Sequence, residues 1–338
     1  MWGRLAKSRA MSVTLPQGID TFLQAAGWSG AEIEPLAGDA SFRRYFRIRL
    51  GDKTAMLMDS PPPNEDPEPF LRAAKWLSEN GLRAPYVLAE DAKRGLVLLE
   101  DFGNARVRDY LDEWPEDEEE VYRSAVDTLV EIHALPPGPF SDYRLTEYLR
   151  EANLFTEWYC PAQRLDVDVE GYETAWQSVL GDVVRRQRSG VTVLRDYHAE
   201  NLMLLGALEK QGLLDFQDAL IGHPAYDLVS LLQDARRDVS VDLEADMFDY
   251  YRERTRVDAD EFLADYAVLG AQRNAKIVGI FVRLWKRDGK PRYLDMIPRV
   301  WGLLERDLVH PALAPVSRWF DENIPLDLRK AGGGKYAK

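Results

Sequence analysis

Short apolar runs dominate the first third of the chain and predict strands. Three runs lie within residues 33–60. The pairs Gly38-Asp39 and Gly51-Asp52 separate these runs and mark turns. Residues 70–82 repeat apolar side chains at intervals of three and four, which predicts a helix. Two further runs within residues 86–100 predict two more strands. This order predicts a small antiparallel sheet with one helix packed on it.

From residue 107 onward the apolar residues recur at helical spacing instead. The segments with this spacing are 121–134, 144–159, 172–187, 227–238, 242–256 and 262–286. One interruption matters, because the runs VTVL, LMLL and GLLDF between residues 191 and 216 predict a small group of strands. The sequence therefore predicts an α+β fold, with an N-terminal lobe at residues 1–100 and a larger, mainly helical C-terminal lobe at residues 101–330.

A polar segment, LRDYHAENLM, interrupts the apolar pattern at residues 194–203. Asp196 follows the predicted strand VTVL, and Asn201 immediately precedes the predicted strand LMLL. The next segment, GALEKQ, can turn the chain back into GLLDF and so form an antiparallel hairpin. Because the start of one hairpin strand lies beside the end of the next, we expect Asn201 and Asp215 at the same edge, with Asp196 close by.

These three oxygen-bearing side chains suit phosphate chemistry. Mg²⁺ fills its coordination sphere largely with water and phosphate oxygens, so Asn201 and Asp215 suffice as its protein ligands. Asp196 is then available to orient an attacking hydroxyl and to accept its proton. Asp and Asn are also common turn residues, which explains either element alone. Their ordered combination with a hairpin favours catalysis.

The charge and cysteine content limit the function further. The formal net charge of -14 argues against a surface for nucleic acid or anionic lipid, because both need clustered Lys and Arg. The longest apolar run, residues 277–282, is far too short to cross a bilayer, and no apolar stretch of signal-peptide length follows the start of the sequence. Cys160 has no partner for an internal disulfide. We therefore expect a cytoplasmic protein that binds neither nucleic acid nor membrane.

One segment is rich in basic residues although the chain as a whole is acidic. Between Arg273 and Arg306 the chain carries seven basic residues and only three acidic ones. A solvated helix face would explain this pattern, and so would the border of a site for an anionic ligand.

The segment 195–201, RDYHAEN, resembles the catalytic loop of kinases, and Asp215-Phe216-Gln217 resembles their metal-binding DFG motif. The extension DFQDALIGHPAYDLVSLL is specifically similar to the aminoglycoside phosphotransferase family. The resemblance implies a protein-kinase-like two-lobe fold, the cofactors ATP and Mg²⁺, Asp196 as the catalytic residue, and Asn201 and Asp215 as metal ligands. It also implies that Asp227 braces the catalytic loop, although helix capping would explain that residue equally well.

Further segments resemble one group within this family, the bacterial cell-wall-recycling kinases that phosphorylate the anomeric hydroxyl of N-acetylmuramate and N-acetylglucosamine. The similar segments are GDASFRRYFR, MDSPPP, LLEDFG, LFTEWY and KIVGIFVRLWKRDGKPRY. Together they span roughly residues 20–305. The resemblance implies an amino sugar as the small-molecule partner. Residue spacing and composition alone support only the conclusion that the protein is a kinase-like phosphotransferase.

Two features of the nucleotide lobe depart from the kinase pattern. The phosphate loop GDASF has a single glycine, so Ser41 and the backbone amides around it would have to contact phosphate. Met58 stands where kinases carry a phosphate-binding Lys. Strand alternation places Arg44 on the apolar face with Phe46, so we hypothesise that Arg44 supplies the missing cation, with Glu68 as a candidate partner. The alternative is an arginine that extends into solvent at the end of its strand.

The remaining candidate residues are inferred from their positions in the segments that resemble the family. Residues 99–103 would join the lobes, with adenine bound to the backbone there, so Glu100 and Phe102 mark the nucleotide site. A charged strand end would explain Glu100 equally well. The candidates for contacts with the sugar are Glu157, His198, Asp218 and Arg273. Each of these four side chains is equally well explained by a structural role.

Two other functions stay open at this point. One is a different small-molecule kinase of the same fold, acting on an aminoglycoside, choline or homoserine. The other is a nucleotide-binding pseudokinase, which the missing Lys and the single glycine would suit. The presence of Asp196, Asn201 and Asp215 argues against the pseudokinase.

Overall fold

The computed structural model of the protein describes residues 14–36, 43–187 and 190–336. These residues form two compact units. The first unit comprises the residues up to Leu71 together with Pro85–Asp101, and the second comprises Arg72–Ala84 together with everything from Phe102 onward. Ser41, the predicted phosphate contact, lies outside the described residues.

An antiparallel sheet of five strands forms the first unit. Its elements are α1 (Ile19–Ala25), β1 (Glu32–Pro35), β2 (Arg44–Leu50), β3 (Lys53–Asp59), the start of α2 (Glu68–Glu79), β4 (Val87–Asp91) and β5 (Leu96–Glu100). The strands lie in the order β1-β2-β3-β5-β4, and every neighbouring pair is antiparallel. Phe22 of α1 packs in one buried cluster with Phe46 and Leu98 of the sheet. The small antiparallel sheet predicted from the sequence is confirmed.

Helices dominate the second unit. Besides the remainder of α2, they are α3 (Val107–Glu113), α4 (Glu118–Ala134), α5 (Leu145–Ala152), α6 (Cys160–Ala162), α7 (Val169–Arg186), α8 (Ala225–Leu232), α9 (Val241–Thr255), α10 (Ala259–Asp288), α11 (Ile297–Asp307), α12 (Ala314–Asn323) and α13 (Leu326–Lys330). The central helix is α10, which contacts α5, α8 and α11 and is buried on most of its circumference. Within the described ranges, no helix is both long and apolar enough to cross a membrane.

Two pairs of short strands lie among these helices. They are β6 (Val191–Val193), β7 (Leu202–Leu204), β8 (Gln211–Leu213) and β9 (Leu220–Gly222). β7 and β8 form the predicted antiparallel hairpin, with Leu202 opposite Leu213. β6 pairs with β9, a strand that we did not predict because its three residues carry too little pattern.

A buried polar network joins three helical elements of the second unit. Gln233 follows α8 and donates to Asp307 Oδ1 on α11 at 2.9 Å, and Asn274 on α10 donates to Asp307 Oδ2 at 3.1 Å. Asn274 also donates to Gln233 Oε1 at 2.8 Å. Burial raises the pKa of Asp307 to about 8, although these amide donors oppose the shift.

The raised pKa of Asp307 predicts a pH-dependent stability. An unfolded aspartate has a pKa of about 3.9, so this group's contribution to stability is fully present below about pH 4 and is lost as the pH rises towards 8. Asp307→Asn removes the titration. The melting temperature of the variant minus that of the wild type should therefore increase from pH 5 to pH 8. Thermal unfolding of both proteins across this range measures the difference. A difference that does not change with pH would show that the folded carboxyl is already ionised.

Candidate active site

The loop that carries Asp196 is fixed to the start of α8 by a buried carboxylate. Asp227 accepts hydrogen bonds from the backbone N–H of Leu194 at 2.6 Å and of Arg195 at 2.7 Å, and it is fully buried. Burial raises the pKa of Asp227 to about 7, although the two N–H donors favour the ionised form. Arg195 has a φ of 73°, a backbone conformation that costs energy for a residue with a side chain. The two hydrogen bonds hold the chain in this turn.

The β7–β8 hairpin brings Asn201 and Asp215 to one edge. Leu214 N–H donates to the Asn201 carbonyl at 2.9 Å, one position beyond the paired ends of the strands. Asn201 Nδ2 lies 2.9 Å from the main-chain oxygen of Asp196 and 3.4 Å from Asp215 Oδ2. The structure therefore brings together the three residues that the sequence marked, and the Asn201 amide links the loop to the hairpin.

Cations surround the half-buried side chain of Asp196. Burial alone would raise the pKa of this carboxyl, but Lys276 and the other positive groups around it outweigh burial and lower the pKa. The other contributing cations are Arg273 and Arg195. Asp196 is therefore ionised at neutral pH, which is the state required of a group that accepts a proton.

A buried carboxylate that the sequence analysis missed organises these cations. Glu151 on α5 is 3% exposed and contacts Lys276 Nζ at 3.0 Å, Arg195 Nη2 and the Tyr143 hydroxyl. Lys276 also donates to the Tyr226 hydroxyl at 3.1 Å. Burial would raise the pKa of Glu151, but Lys276 and Arg195 lower it below its ordinary value.

The sequence did contain a signal for Glu151. It lies three residues after Tyr148 and four before Phe155, on the apolar face of the predicted helix 144–159. A carboxylate in such a position must be buried, so it needs charged partners from elsewhere in the chain.

Asn201 and Asp215 fit a magnesium ion by their donor chemistry. Because the Nδ2 of Asn201 is committed to the Asp196 carbonyl, its Oδ1 can serve as an oxygen ligand beside the exposed Asp215 carboxylate. Gln217 Nε2 donates to Asp215 Oδ1 at 2.8 Å and orients that carboxylate. Over the residues that the structure describes, no group of three or more His, Cys, Asp or Glu side chains could hold a metal. A cation that keeps most of its ligands as water and phosphate suits this pair.

The four residues predicted to contact the sugar differ in their surroundings. His198 and Arg273 are buried, each 3% exposed, and they lie beside Asn201 and Ser230 respectively. Asp218 is exposed, and its main-chain oxygen accepts from Arg195 Nη1 at 3.3 Å. Glu157 is exposed on a π-helical turn, Phe155–Tyr159, between α5 and α6. Turns of this kind occur often at functional sites.

In the first unit, Arg44 pairs with a different carboxylate from the one expected. Its Nε lies 2.8 Å from Asp59 Oδ2, and its Nη1 donates to the Thr14 carbonyl at 2.7 Å. The predicted partner, Glu68, is exposed at the start of α2. Arg44 and Asp59 are directly opposite in the β2–β3 ladder, which explains the pairing. The guanidinium lies over the Phe46 ring, on the strand face that alternation predicted.

The two residues predicted to mark the adenine site make local contacts. Glu100 ends β5, and its Oε2 accepts from the Tyr86 N–H at 3.3 Å. Phe102 belongs to the second unit, where the Arg83 guanidinium lies 5.1 Å from its ring centre. The Phe102 ring lies so close to Gly212 on β8 that a Cβ there would come within 2.5 Å of it. The glycine therefore allows Phe102 to pack against the hairpin.

Comparison with known proteins places these features in a family. The model of the phosphotransferase enzyme family matches residues 32–262. The chain is 38% identical to an N-acetylmuramate/N-acetylglucosamine kinase of Caulobacter vibrioides, over 91% of this chain and 96% of the relative. It is 36% identical to the protein of the same name from Pseudomonas aeruginosa, over 89% of this chain and 91% of the relative.

A solved structure shares the fold. The ADP-bound aminoglycoside phosphotransferase APH(2'')-Ib superposes with a TM-score of 0.56 over 81% of this chain and 92% of the other, at 15% sequence identity. Together with the observed sheet, helices and hairpin, this likeness confirms the predicted α+β fold of the protein-kinase type.

Proposed function

Because the chain belongs to the phosphotransferase enzyme family, we propose that it transfers the γ-phosphoryl group of ATP to the anomeric hydroxyl of N-acetylmuramate and N-acetylglucosamine. The observation that carries phosphoryl transfer is the convergence of Asp196, Asn201 and Asp215 at one edge of the hairpin. The two relatives at 38% and 36% identity support the amino sugar as the acceptor. The reaction would belong to peptidoglycan recycling in the cytoplasm.

Asp196 acts on the acceptor. Its ionised carboxylate accepts a hydrogen bond from the anomeric hydroxyl, aligns the oxygen with the γ-phosphorus and takes the proton as the new O–P bond forms. An anomeric hydroxyl is more acidic than an ordinary alcohol, so a base of low pKa suffices. Asp227 supports this role because it fixes the backbone of Leu194 and Arg195, the two residues before Asp196.

Asn201 and Asp215 would hold Mg²⁺. When bound, the ion neutralises charge on the phosphate oxygens. Ser41 and Arg44 remain the proposed phosphate contacts. Glu100 and Phe102 remain the proposed adenine contacts.

The sugar would be recognised by side chains of the second unit. Asp218 and Glu157 are exposed and can accept hydrogen bonds from sugar hydroxyls. His198 lies beside the Asn201 amide, with its Nε2 3.5 Å from Asn201 Nδ2, and burial lowers its pKa. A neutral imidazole at this position can orient Asn201 or meet the acceptor.

Product analysis tests the proposal directly. The protein is incubated with MgATP and a panel of free sugars that includes N-acetylmuramate, N-acetylglucosamine, glucose and galactose, and ADP release is followed. Phosphorus coupling to the anomeric proton in the NMR spectrum of the product would identify a 1-phosphate. Choline, homoserine and an aminoglycoside serve as alternative acceptors. Preferential turnover of one of these three, or a product phosphorylated at another hydroxyl, would contradict the proposal.

Arg44 carries a separate prediction about the nucleotide. Arg44→Met removes the proposed phosphate cation, so the KM for ATP should rise about tenfold or more, as expected for the loss of a charge-assisted hydrogen bond. Arg49→Met is the matched control, because Arg49 lies on the same strand and its only described ion pair is an exposed one with Glu34 at 3.2 Å. Steady-state kinetics with a melting curve for each variant make the comparison. If KM and kcat are unchanged, Arg44 serves only to pair with Asp59.

A further inference from the structure

Arg273 is a buried cation that forms no ion pair within 4.0 Å with any carboxylate of the described residues. It lies in the middle of α10, is 3% exposed, and donates from Nη2 to Ser230 Oγ at 2.7 Å. Its Nη1 is buried and has no hydrogen-bond partner in the described part of the chain. The Arg273 charge acts on the carboxyls of Asp196 and Asp227, and it acts to lower the pKa of both. The hydrogen bond to Ser230 fixes the guanidinium beside the catalytic loop.

Ser230 links Arg273 to the catalytic loop by hydrogen bonds. Its hydroxyl is fully buried, accepts from Arg273 and donates to the main-chain oxygen of Arg195 at 3.2 Å. Ser230 lies three residues after Asp227 on α8, so both side chains point from the same face of that helix. Asp227 holds the N–H groups of the loop, and Ser230 holds the carbonyl.

The carbonyl that Ser230 holds belongs to the peptide group that joins Arg195 to Asp196. Arg195 has a left-handed φ of 73°, so this peptide group needs external contacts to stay in place. The orientation of the peptide group sets the direction in which the Asp196 side chain leaves the backbone. A fixed carbonyl therefore restricts the direction of the Cα–Cβ bond that carries the Asp196 carboxylate.

We propose that Ser230 and Arg273 are positioning residues for the phosphoryl transfer, forming a relay from Arg273 through the Ser230 hydroxyl to the Arg195 carbonyl that orients Asp196. The proposal rests on the proposed function, because it assumes that Asp196 meets the acceptor. It assigns Arg273 to the catalytic loop, in place of the sugar contact that we predicted from the sequence. A displaced carboxylate loses alignment with the acceptor but leaves both substrates bound.

Ser230→Ala tests the relay. It should lower kcat about 10- to 100-fold and leave the KM values for ATP and sugar within about twofold, because only alignment is lost. Ser178→Ala is the matched control, since the Ser178 hydroxyl also donates to a main-chain oxygen, that of Ala175 at 2.7 Å, but on α7 and away from the loop. Hydrogen–deuterium exchange of the peptide that covers residues 194–197 should be faster in Ser230→Ala and unchanged in Ser178→Ala.

A double-mutant cycle with Arg273→Gln shows whether the two residues act in series. If they form one relay, the double variant should lose no more kcat than the more impaired single variant. Losses in kcat that multiply would overturn the relay. A higher KM for the sugar with unchanged kcat in Arg273→Gln would also overturn it and would return Arg273 to the sugar site.

The exchange measurement separates this inference from the proposed function. If the wild type phosphorylates none of the sugars, the proposed function fails, while faster exchange at residues 194–197 in Ser230→Ala still supports the relay. Unchanged exchange and unchanged kcat in a folded Ser230→Ala protein would refute the relay even in an active sugar kinase.

Discussion

Asp196→Asn is expected to lower kcat for sugar phosphorylation by about 10²- to 10⁴-fold, the range attributed to a positioned general base. The amide has nearly the same size and shape as the carboxylate but cannot accept the proton of the acceptor hydroxyl. The nucleotide contacts are untouched, so MgATP should bind with an affinity within about threefold of the wild type. ADP release at saturating substrates and calorimetric titration with MgATP measure the two quantities.

The control for this variant is Asp246→Asn, which makes the same chemical change at an exposed position on α9. It should leave kcat unchanged. If Asp196→Asn keeps kcat within tenfold of the wild type, Asp196 is not the base. If MgATP binding is lost together with turnover, the residue has a role in the nucleotide site that we have not assigned to it.

Glu151→Gln is expected to reduce the free energy of unfolding by about 3–5 kcal/mol, the usual cost of removing one partner from a buried ion cluster. Glu151 is 3% exposed and contacts both Lys276 and Arg195. The amide is isosteric but leaves the two cations buried without their counter-ion. Because Arg195 adjoins Asp196, kcat should fall as well. Urea unfolding followed by circular dichroism measures the stability.

Glu147→Gln is the matched control on the same helix. Glu147 is partly exposed and contacts the Thr146 hydroxyl at 2.9 Å, so its replacement should change stability by less than about 0.5 kcal/mol. A loss below about 1 kcal/mol in Glu151→Gln would mean that Lys276 and Arg195 find other partners or reach water. The cluster would then not be the support for the loop that its contacts suggest.

The parts of the site that are local in sequence could be predicted. Asp196, Asn201 and Asp215 lie at the ends of short strands, and the hairpin register follows from alternation and turn length. The Arg44 pair could also have been found by the same reasoning. A two-residue turn at Gly51–Asp52 pairs Leu50 with Lys53, and counting outward along both strands puts Arg44 opposite Asp59.

The parts that depend on distant elements could not be predicted. Glu151, Ser230 and Lys276 lie on three helices, and no sequence pattern states which helix faces another. A polar residue on an apolar helix face indicates that a partner exists, but only the tertiary packing selects it. The strand β9 was missed for a related reason, since its pairing with β6 is decided by the surrounding helices.

The helix α10 carries three of the buried polar contacts within a single turn. Arg273 reaches Ser230, Asn274 reaches Asp307, and Lys276 reaches Glu151. Each successive residue is rotated by about 100° around a helix axis, so one residue inserted earlier in α10 would turn all three side chains away from their partners together. The rotation of α10 about its own axis is therefore set at this turn by three separate partners, on α8, α11 and α5, at once.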